Sequence, residues 1–183
     1  MRRFFAAFIE IGEIALVAIG AVFLIRNFLV QPFLVSGESM VPNFQNGDYL
    51  LIDELTYRLR TPVRGEVDVF RYPNDETTYF IKRVIGLPGE RILIRDGRVT
   101  IFNDEHKDGF TLNELSYLPA GLSTEGNADV TLQDNQYFML GDNRPYSSDS
   151  RTWGVLPAKD IIGLVRMRLW PLNAITVFAA PQY

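Results

Sequence analysis

Ser39 and Lys82 are the two residues of this chain whose types do chemistry together, and each sits in a block suited to one half of an active site. Ser39 lies in Ser36-Gly37-Glu38-Ser39-Met40-Val41-Pro42, just after an apolar N-terminal segment. Lys82 lies in Tyr79-Phe80-Ile81-Lys82-Arg83-Val84-Ile85-Gly86, a strand-like run. A third block, Gly141-Asp142-Asn143-Arg144-Pro145-Tyr146-Ser147-Ser148-Asp149-Ser150-Arg151, is dense in polar groups between apolar strands. Serine is a weak nucleophile at its own pKa and needs a neighbouring base. Lysine serves as that base only when its amine is neutral, and burial supplies this by penalising the charged form. Phe80, Ile81, Val84 and Ile85 flank Lys82 and place it for such desolvation.

Each residue also has a plainer reading. Ser-Gly and Met-x-Pro suit loops, so Ser39 alone reads as a turn serine. Lys82 alone reads as an edge residue whose amine snorkels to water. What competes with lysine as the base is scarce, however. The 183 residues hold one histidine, His106, in the polar stretch Asn103-Asp104-Glu105-His106-Lys107-Asp108. It reads as a solvated loop residue, which leaves no conventional triad near Ser39 and no His-rich metal site. With no cysteine, disulfides, thiol nucleophiles and thiolate metal sites are excluded. The net charge of −4 gives no support to a nucleic-acid partner.

The elements that must position these blocks are mostly strands. Asp48 to Ile52, Glu66 to Phe70, Thr77 to Ile85, Gln136 to Leu140 and Ile161 to Trp170 all read as strands. Glu66-Val67-Asp68-Val69-Phe70 alternates polar and apolar, as a half-buried strand does. Arg91 to Arg95 and Arg98 to Phe102 flank Asp96-Gly97, one of the strongest short hairpin signals. Asp53 to Leu59 suggests a helical turn, and Thr111 to Asn127 reads as polar loop. Many short strands between frequent turns predict an all-β domain.

The N-terminal segment differs. Ile14 to Ile25 carries no charge, and with Phe4 to Ile9 it reaches the ~20 residues a bilayer span needs. Glu10 and Glu13 then fall near one end, where a carboxylate is far cheaper than at mid-bilayer. Arg2 and Arg3 favour a cytoplasmic N-terminus. A cleaved signal peptide is the alternative, but the Ser39 block follows at once with no dispensable spacer. A retained anchor is the expectation.

Taken in order, Ser36 to Pro42, Arg64-Gly65-Glu66, Lys82 to Gly89 and Gly141 to Gly154 resemble the type I signal peptidases, membrane-bound serine proteases with a Ser/Lys dyad. The resemblance runs from about Phe33 to Trp170 and reverses both plain readings. It implies a mostly antiparallel β-fold, with residues 1–30 as one transmembrane anchor and 31–183 as an extracytoplasmic catalytic domain. Residues about 91–133 would form an inserted, cap-like region. It implies Ser39 as nucleophile and Lys82 as general base. Ser147 matches the serine that holds the lysine amine in place, while Asp149 and Arg151 match a structural charged pair near the site. Phe33, Val35, Phe44 and Ile81 fall where the family lines two shallow pockets for small side chains. Arg83, Arg144 and Arg151 with Asp142 and Asp149 are expected to form one hydrogen-bonded network. Gly37 departs from members that carry a serine there to stabilise the oxyanion, leaving the Ser39 N–H as the donor in view.

The activity implied is removal of signal peptides from secreted preproteins, cutting after Ala-x-Ala-type residues through an acyl-enzyme, with no metal or organic cofactor. The partners implied are preproteins and the lipid bilayer, with transient association with the secretion machinery left open. The expected location is the cell membrane, single-pass. Two alternatives stand beside this reading. One is a related Ser/Lys protease with another target, pilin-type or self-cleaving. The other is a catalytically silent, membrane-anchored binding module.

Overall fold

In the computed structural model, residues 10–20 and 30–181 are described. Residues 10–20 are helical (α1), and the remainder of the expected anchor lies outside the described residues. Among the described residues no helix is long and apolar enough to cross a membrane.

From Val30 onward the strands pair antiparallel in two sheets. The larger holds β1 (Val30–Leu34), β2 (Tyr49–Asp53), β11 (Ile161–Trp170), β3 (Val67–Tyr72), β4 (Asp75–Gly86), β9 (Gln136–Leu140) and β10 (Leu156–Pro157) in that spatial order, with β12 (Thr176–Val177) beside β11. The smaller runs β7 (Phe110–Thr111), β6 (Arg98–Phe102), β5 (Arg91–Arg95), β8 (Ala128–Thr131). Two short helices, α2 (Thr56–Leu59) and α3 (Ser150–Trp153), lie in connections.

Local chemistry explains several elements. β1 is an edge strand, and it carries Pro32, whose missing N–H an edge tolerates. Between β5 and β6, Asp96 and Gly97 have φ of 53° and 75°. Two consecutive positive φ values make the turn whose twist matches its strands, and Arg95 pairs directly with Arg98.

Three apolar clusters hold the sheets. Val35, Met40, Phe44, Leu50, Ile52, Val67, Val69, Ile81 and Val165 form the first. Ile85, Ile92, Ile94, Val99, Ile101, Leu112, Leu132, Phe138 and Leu140 form the second, which joins the small sheet to β4 and β9. Phe70, Val84, Tyr137, Met139 and Leu156 form the third. Alternation along β4 thus feeds two cores, Ile81 one way and Val84 the other. β3 does the same, and this corrects the half-buried reading. Val67 to Phe70 are all buried, Asp68 included. The third cluster covers the face that the polar–apolar alternation assigned to solvent.

Candidate active site

Lys82 sits at the point in β4 where pairing changes. β4 pairs with β3 along Tyr79 to Arg83, but with β9 only from Arg83 onward. Lys82 therefore has an open strand edge on one side and a packed sheet behind it. Only 3% of its surface is exposed. Its amine lies 5.0 Å from the Phe80 ring centroid. The amine makes two hydrogen bonds, 2.7 Å to Ser39 Oγ and 2.9 Å to the Ile81 carbonyl. Burial lowers its pKa to about 8, while Asp149 and Asp142 pull it back toward the charged form. A lysine so placed is neutral over a usable pH range and touches a hydroxyl.

Ser39 is held from both sides. Before it, Val35 N–H donates to the Asp48 carbonyl and Gly47 N–H to the Val35 carbonyl, both at 2.9 Å. Gly37 N–H donates to Asn46 Oδ1 at 2.9 Å. After it, Met40 drives into the first core at 1% exposure, and Phe44 N–H donates to the Met40 carbonyl at 2.9 Å. On the far side, Asn143 N–H donates to the Ser39 carbonyl and Asn143 Nδ2 to the Glu38 carbonyl, each at 3.0 Å. A buried apolar plug and hydrogen bonds on both sides hold the backbone around Ser39, whose Oγ meets the amine.

The block from Gly141 to Arg151 supplies that support. Asp149 caps α3, accepting from Arg151 N–H at 3.2 Å, and also accepts from Gly141 N–H at 3.1 Å. Arg151 grips the same carboxylate with a fork of 2.8 and 2.7 Å. Asp142 is gripped by Arg83 at 2.8 and 2.6 Å and accepts from Asn43 Nδ2 at 2.8 Å. Gly141 is required by space: a Cβ there would stand 2.5 Å from the Ser39 carbonyl oxygen and would collide with Ser147 Oγ.

The expected residues divide. Ser39, Lys82, Phe33 and Ile81 line one cleft of about 330 Å³, together with Leu34, Tyr79, Phe80 and Tyr146. Val35 and Phe44 do not line it. They are 3% and 1% exposed and belong to the first core. Their pocket role was implied by the resemblance; here both side chains pack in the cluster that holds Leu50, Val67 and Val165. Asp149 and Arg151 pair as expected. Ser147 lies beside Gly141, but among the described residues its buried hydroxyl has no hydrogen-bond partner and makes no bond to Lys82. The expected arginine network is split. Arg83 holds Asp142 and Arg151 holds Asp149, whereas Arg144 turns to Glu114, at 2.9 Å through Nη1, and to Thr124. The Arg144 backbone joins the parts: its carbonyl accepts from Arg151 at 2.7 Å and its N–H donates to the Asp142 carbonyl at 3.1 Å.

Sequence reasoning missed Asn43 and Asn143 as supports, Tyr79 and Tyr146 as cleft walls, and Glu114 as Arg144's partner. The block order carried a signal for Asn143, which adjoins Asp142. Glu114, in a stretch taken for plain loop, carried none.

A family model described as signal peptidase, peptidase S26, matches residues 8–170. The chain is 36% identical over 170 residues to the probable signal peptidase I-2 of Synechocystis sp., covering 90% of this chain and 74% of that one. It is 35% identical over 148 residues to the signal peptidase I V of Bacillus subtilis, covering 77% and 86%. A solved signal peptidase I from Enterococcus faecalis aligns over 57% of this chain and 97% of its own, at 28% identity and a TM-score of 0.46.

Proposed function

The chain belongs to the signal peptidase family, peptidase S26, and on that premise we propose that it removes signal peptides from preproteins with Ser39 as nucleophile and Lys82 as general base. The observation that carries the dyad is the 2.7 Å contact between a buried lysine amine and a serine hydroxyl. Neutral Lys82 takes the Ser39 proton as Oγ attacks the scissile carbonyl. The ammonium then returns that proton to the leaving amine, and water releases the acyl group. The Ser39 N–H is one donor to the oxyanion, and such donors are each worth roughly 10²–10³ in rate.

An extended peptide fits between two open edges. Among the described residues β1 has no neighbour beyond it, and β4 has none from Asp75 to Lys82 on the side away from β3. Phe33 and Leu34 line the cleft from the first edge, Tyr79 to Lys82 from the second. A strand inserted there gains main-chain hydrogen bonds on both sides, and wall aromatics favour small side chains. Such walls suit the small Ala-x-Ala side chains that the signal peptidase resemblance implies.

Residues 1–30 act as a single membrane anchor, with the β-domain on the extracytoplasmic side. The uncharged run Ile14 to Ile25 behind Arg2 and Arg3 supports this. Preproteins and lipid are then the partners, met near the secretion machinery.

The test is cleavage of a fluorogenic peptide ending in Ala-x-Ala by the wild type and by Ser39→Ala. The wild type should cut after the last alanine, and Ser39→Ala should be inactive while keeping the wild-type melting temperature. Cleavage by Ser39→Ala within about tenfold of wild type would mean another nucleophile, because removing the nucleophile itself costs far more.

A further inference from the structure

Three carboxyls near the site, Asp68, Asp142 and Asp149, are wholly shut off from solvent. Asp142 and Asp149 each face an arginine. Among the described residues Asp68 forms no ion pair, and its Oδ2 has no hydrogen-bond partner. A buried carboxylate without a counter-charge is costly, and such groups keep their proton instead.

Hydrogen counting places that proton. Tyr57, on α2, has one phenolic hydrogen. Its oxygen contacts both Asp68 Oδ1 and Glu66 Oε2, the latter at 3.1 Å. Glu66 is already paired with Arg60, at 3.0 Å through Nη1, and accepts from Val63 N–H at 2.9 Å. Both tyrosine contacts are hydrogen bonds only if a second proton lies in the cluster. The chain then runs from Asp68 O–H to the Tyr57 oxygen, and from Tyr57 O–H to the Glu66 carboxylate. Burial pushes the Asp68 carboxyl well above its usual range; the Tyr57 hydrogen bond opposes this, Glu66 adds to it and Arg60 opposes it. Burial raises the Tyr137 phenol, on β9, and any charge on Asp68 adds to this.

The location gives this proton a use. Asp68 and Lys82 are direct cross-strand partners in the β3–β4 ladder. Side chains so paired share a sheet face, with Cβ atoms about 4.5–5.5 Å apart. The next pair on that face, Phe70 and Phe80, meets edge to face at 6.3 Å between centroids. Asp68 thus lies behind Lys82 on the face away from the first core. Neutral Asp68 leaves the lysine free to shed its own proton. Ionised Asp68 puts a negative charge beside the lysine and favours the ammonium, which cannot accept from Ser39.

We propose that Asp68 is a positioning residue that acts through Lys82, holding a proton in the Asp68–Tyr57–Glu66 chain and thereby setting the pH at which Lys82 becomes a base. The proposal rests on the reading of Lys82 as general base. As pH rises, Asp68 and Lys82 titrate as a coupled pair, and the growing Asp68 charge delays the loss of the lysine proton.

The test compares the acid limb of the kcat/KM profile for the full-length wild type, Asp68→Asn and Tyr57→Phe. Asn keeps the shape and cannot ionise, so its limb should move about half a unit or more to lower pH, roughly threefold in rate at a fixed pH on the limb. When Asp68 ionises, the Tyr57 O–H turns to the carboxylate, a charge-assisted bond stronger than the neutral one it replaces. Tyr57→Phe loses both, disfavours the ionised form more, and should move its limb the same way, so it carries the test should Asp68→Asn not fold. Infrared difference spectra should show a protonated-carboxyl stretch in the wild type at neutral pH that is missing in Asp68→Asn. A limb that stays put or moves to higher pH, or the absence of that band, overturns the proposal. If instead Lys82→Arg keeps substantial activity, the base itself has been misassigned, an outcome separate from an unmoved limb in an enzyme that needs Lys82.

Discussion

The backbone N–H of Asn143 donates to the carbonyl of Ser39 at 3.0 Å. This bond ties the peptide of Ser39, the proposed nucleophile, to the segment whose neighbours, Asp142 and Asp149, carry the charges felt by Lys82. Displacing either loop therefore changes both the aim of the serine and the proton affinity of the lysine.

Lys82 should be irreplaceable by arginine, which stays protonated at any workable pH and cannot accept the serine proton. In the wild type, kcat/KM should rise with pH through about 8, where burial holds the amine, because the base form accumulates as the lysine deprotonates. A pH–rate profile checks both points. Robust cleavage by Lys82→Arg, or a rate flat from pH 6 to 9, would point to a different base.

Gly141→Ala should cripple cleavage. Its methyl group meets the Ser39 carbonyl oxygen at 2.5 Å and the Ser147 side chain, so the Ser39 loop must shift. A misplacement of about 1 Å costs on the order of 10²-fold. Gly154→Ala is the control. Its φ of +90° strains an alanine, but nothing lies within 4 Å of the added carbon. It should lower stability by roughly 1–3 kcal/mol and keep most of the activity, as read by melting and peptide cleavage together.

Asp142→Ala should leave the Arg83 guanidinium buried without its carboxylate. Breaking such a pair costs about 3–5 kcal/mol. The lower end is expected, since Arg83 keeps its 2.7 Å bond to the Gly65 carbonyl and its place over the Tyr117 ring. Thermal melting should fall by roughly 6–12 °C for a chain of this length. The acid limb of any surviving activity should move to lower pH, because the Asp142 charge favours the Lys82 ammonium. A limb moving to higher pH contradicts this.

Ser147→Ala removes a buried hydroxyl that has no hydrogen-bond partner. Melting should change by less than about 1 kcal/mol, since no bond is lost. If the hydroxyl turns to the Lys82 amine once substrate is bound, kcat/KM falls, though by less than in Ser39→Ala because the dyad survives. Ser148, exposed in the cleft, is the comparison. Loss of activity in Ser148→Ala with a silent Ser147→Ala would move the supporting role by one residue.

Features that depend on neighbours along the chain were legible before any fold was known. Asp96-Gly97 prescribes positive φ at two successive residues, and the β5–β6 hairpin follows. The apolar neighbours of Lys82 announced its burial, and the block order brought Ser39, Lys82, Asp149 and Arg151 to one place. Tertiary structure decided what covers each face. Val35 and Phe44 became core because the sheet closes over them, not over the cleft. Asp68 stood in a pattern of alternation that fits a solvated face equally well. Only the packing of Phe70, Val84, Tyr137, Met139 and Leu156 buried it, and only the β3–β4 register set it opposite Lys82. Glu114 likewise reads as loop until Arg144, buried from the far side, reaches it. Periodicity reports which residues share a face, whereas desolvation depends on elements distant in sequence packing against that face.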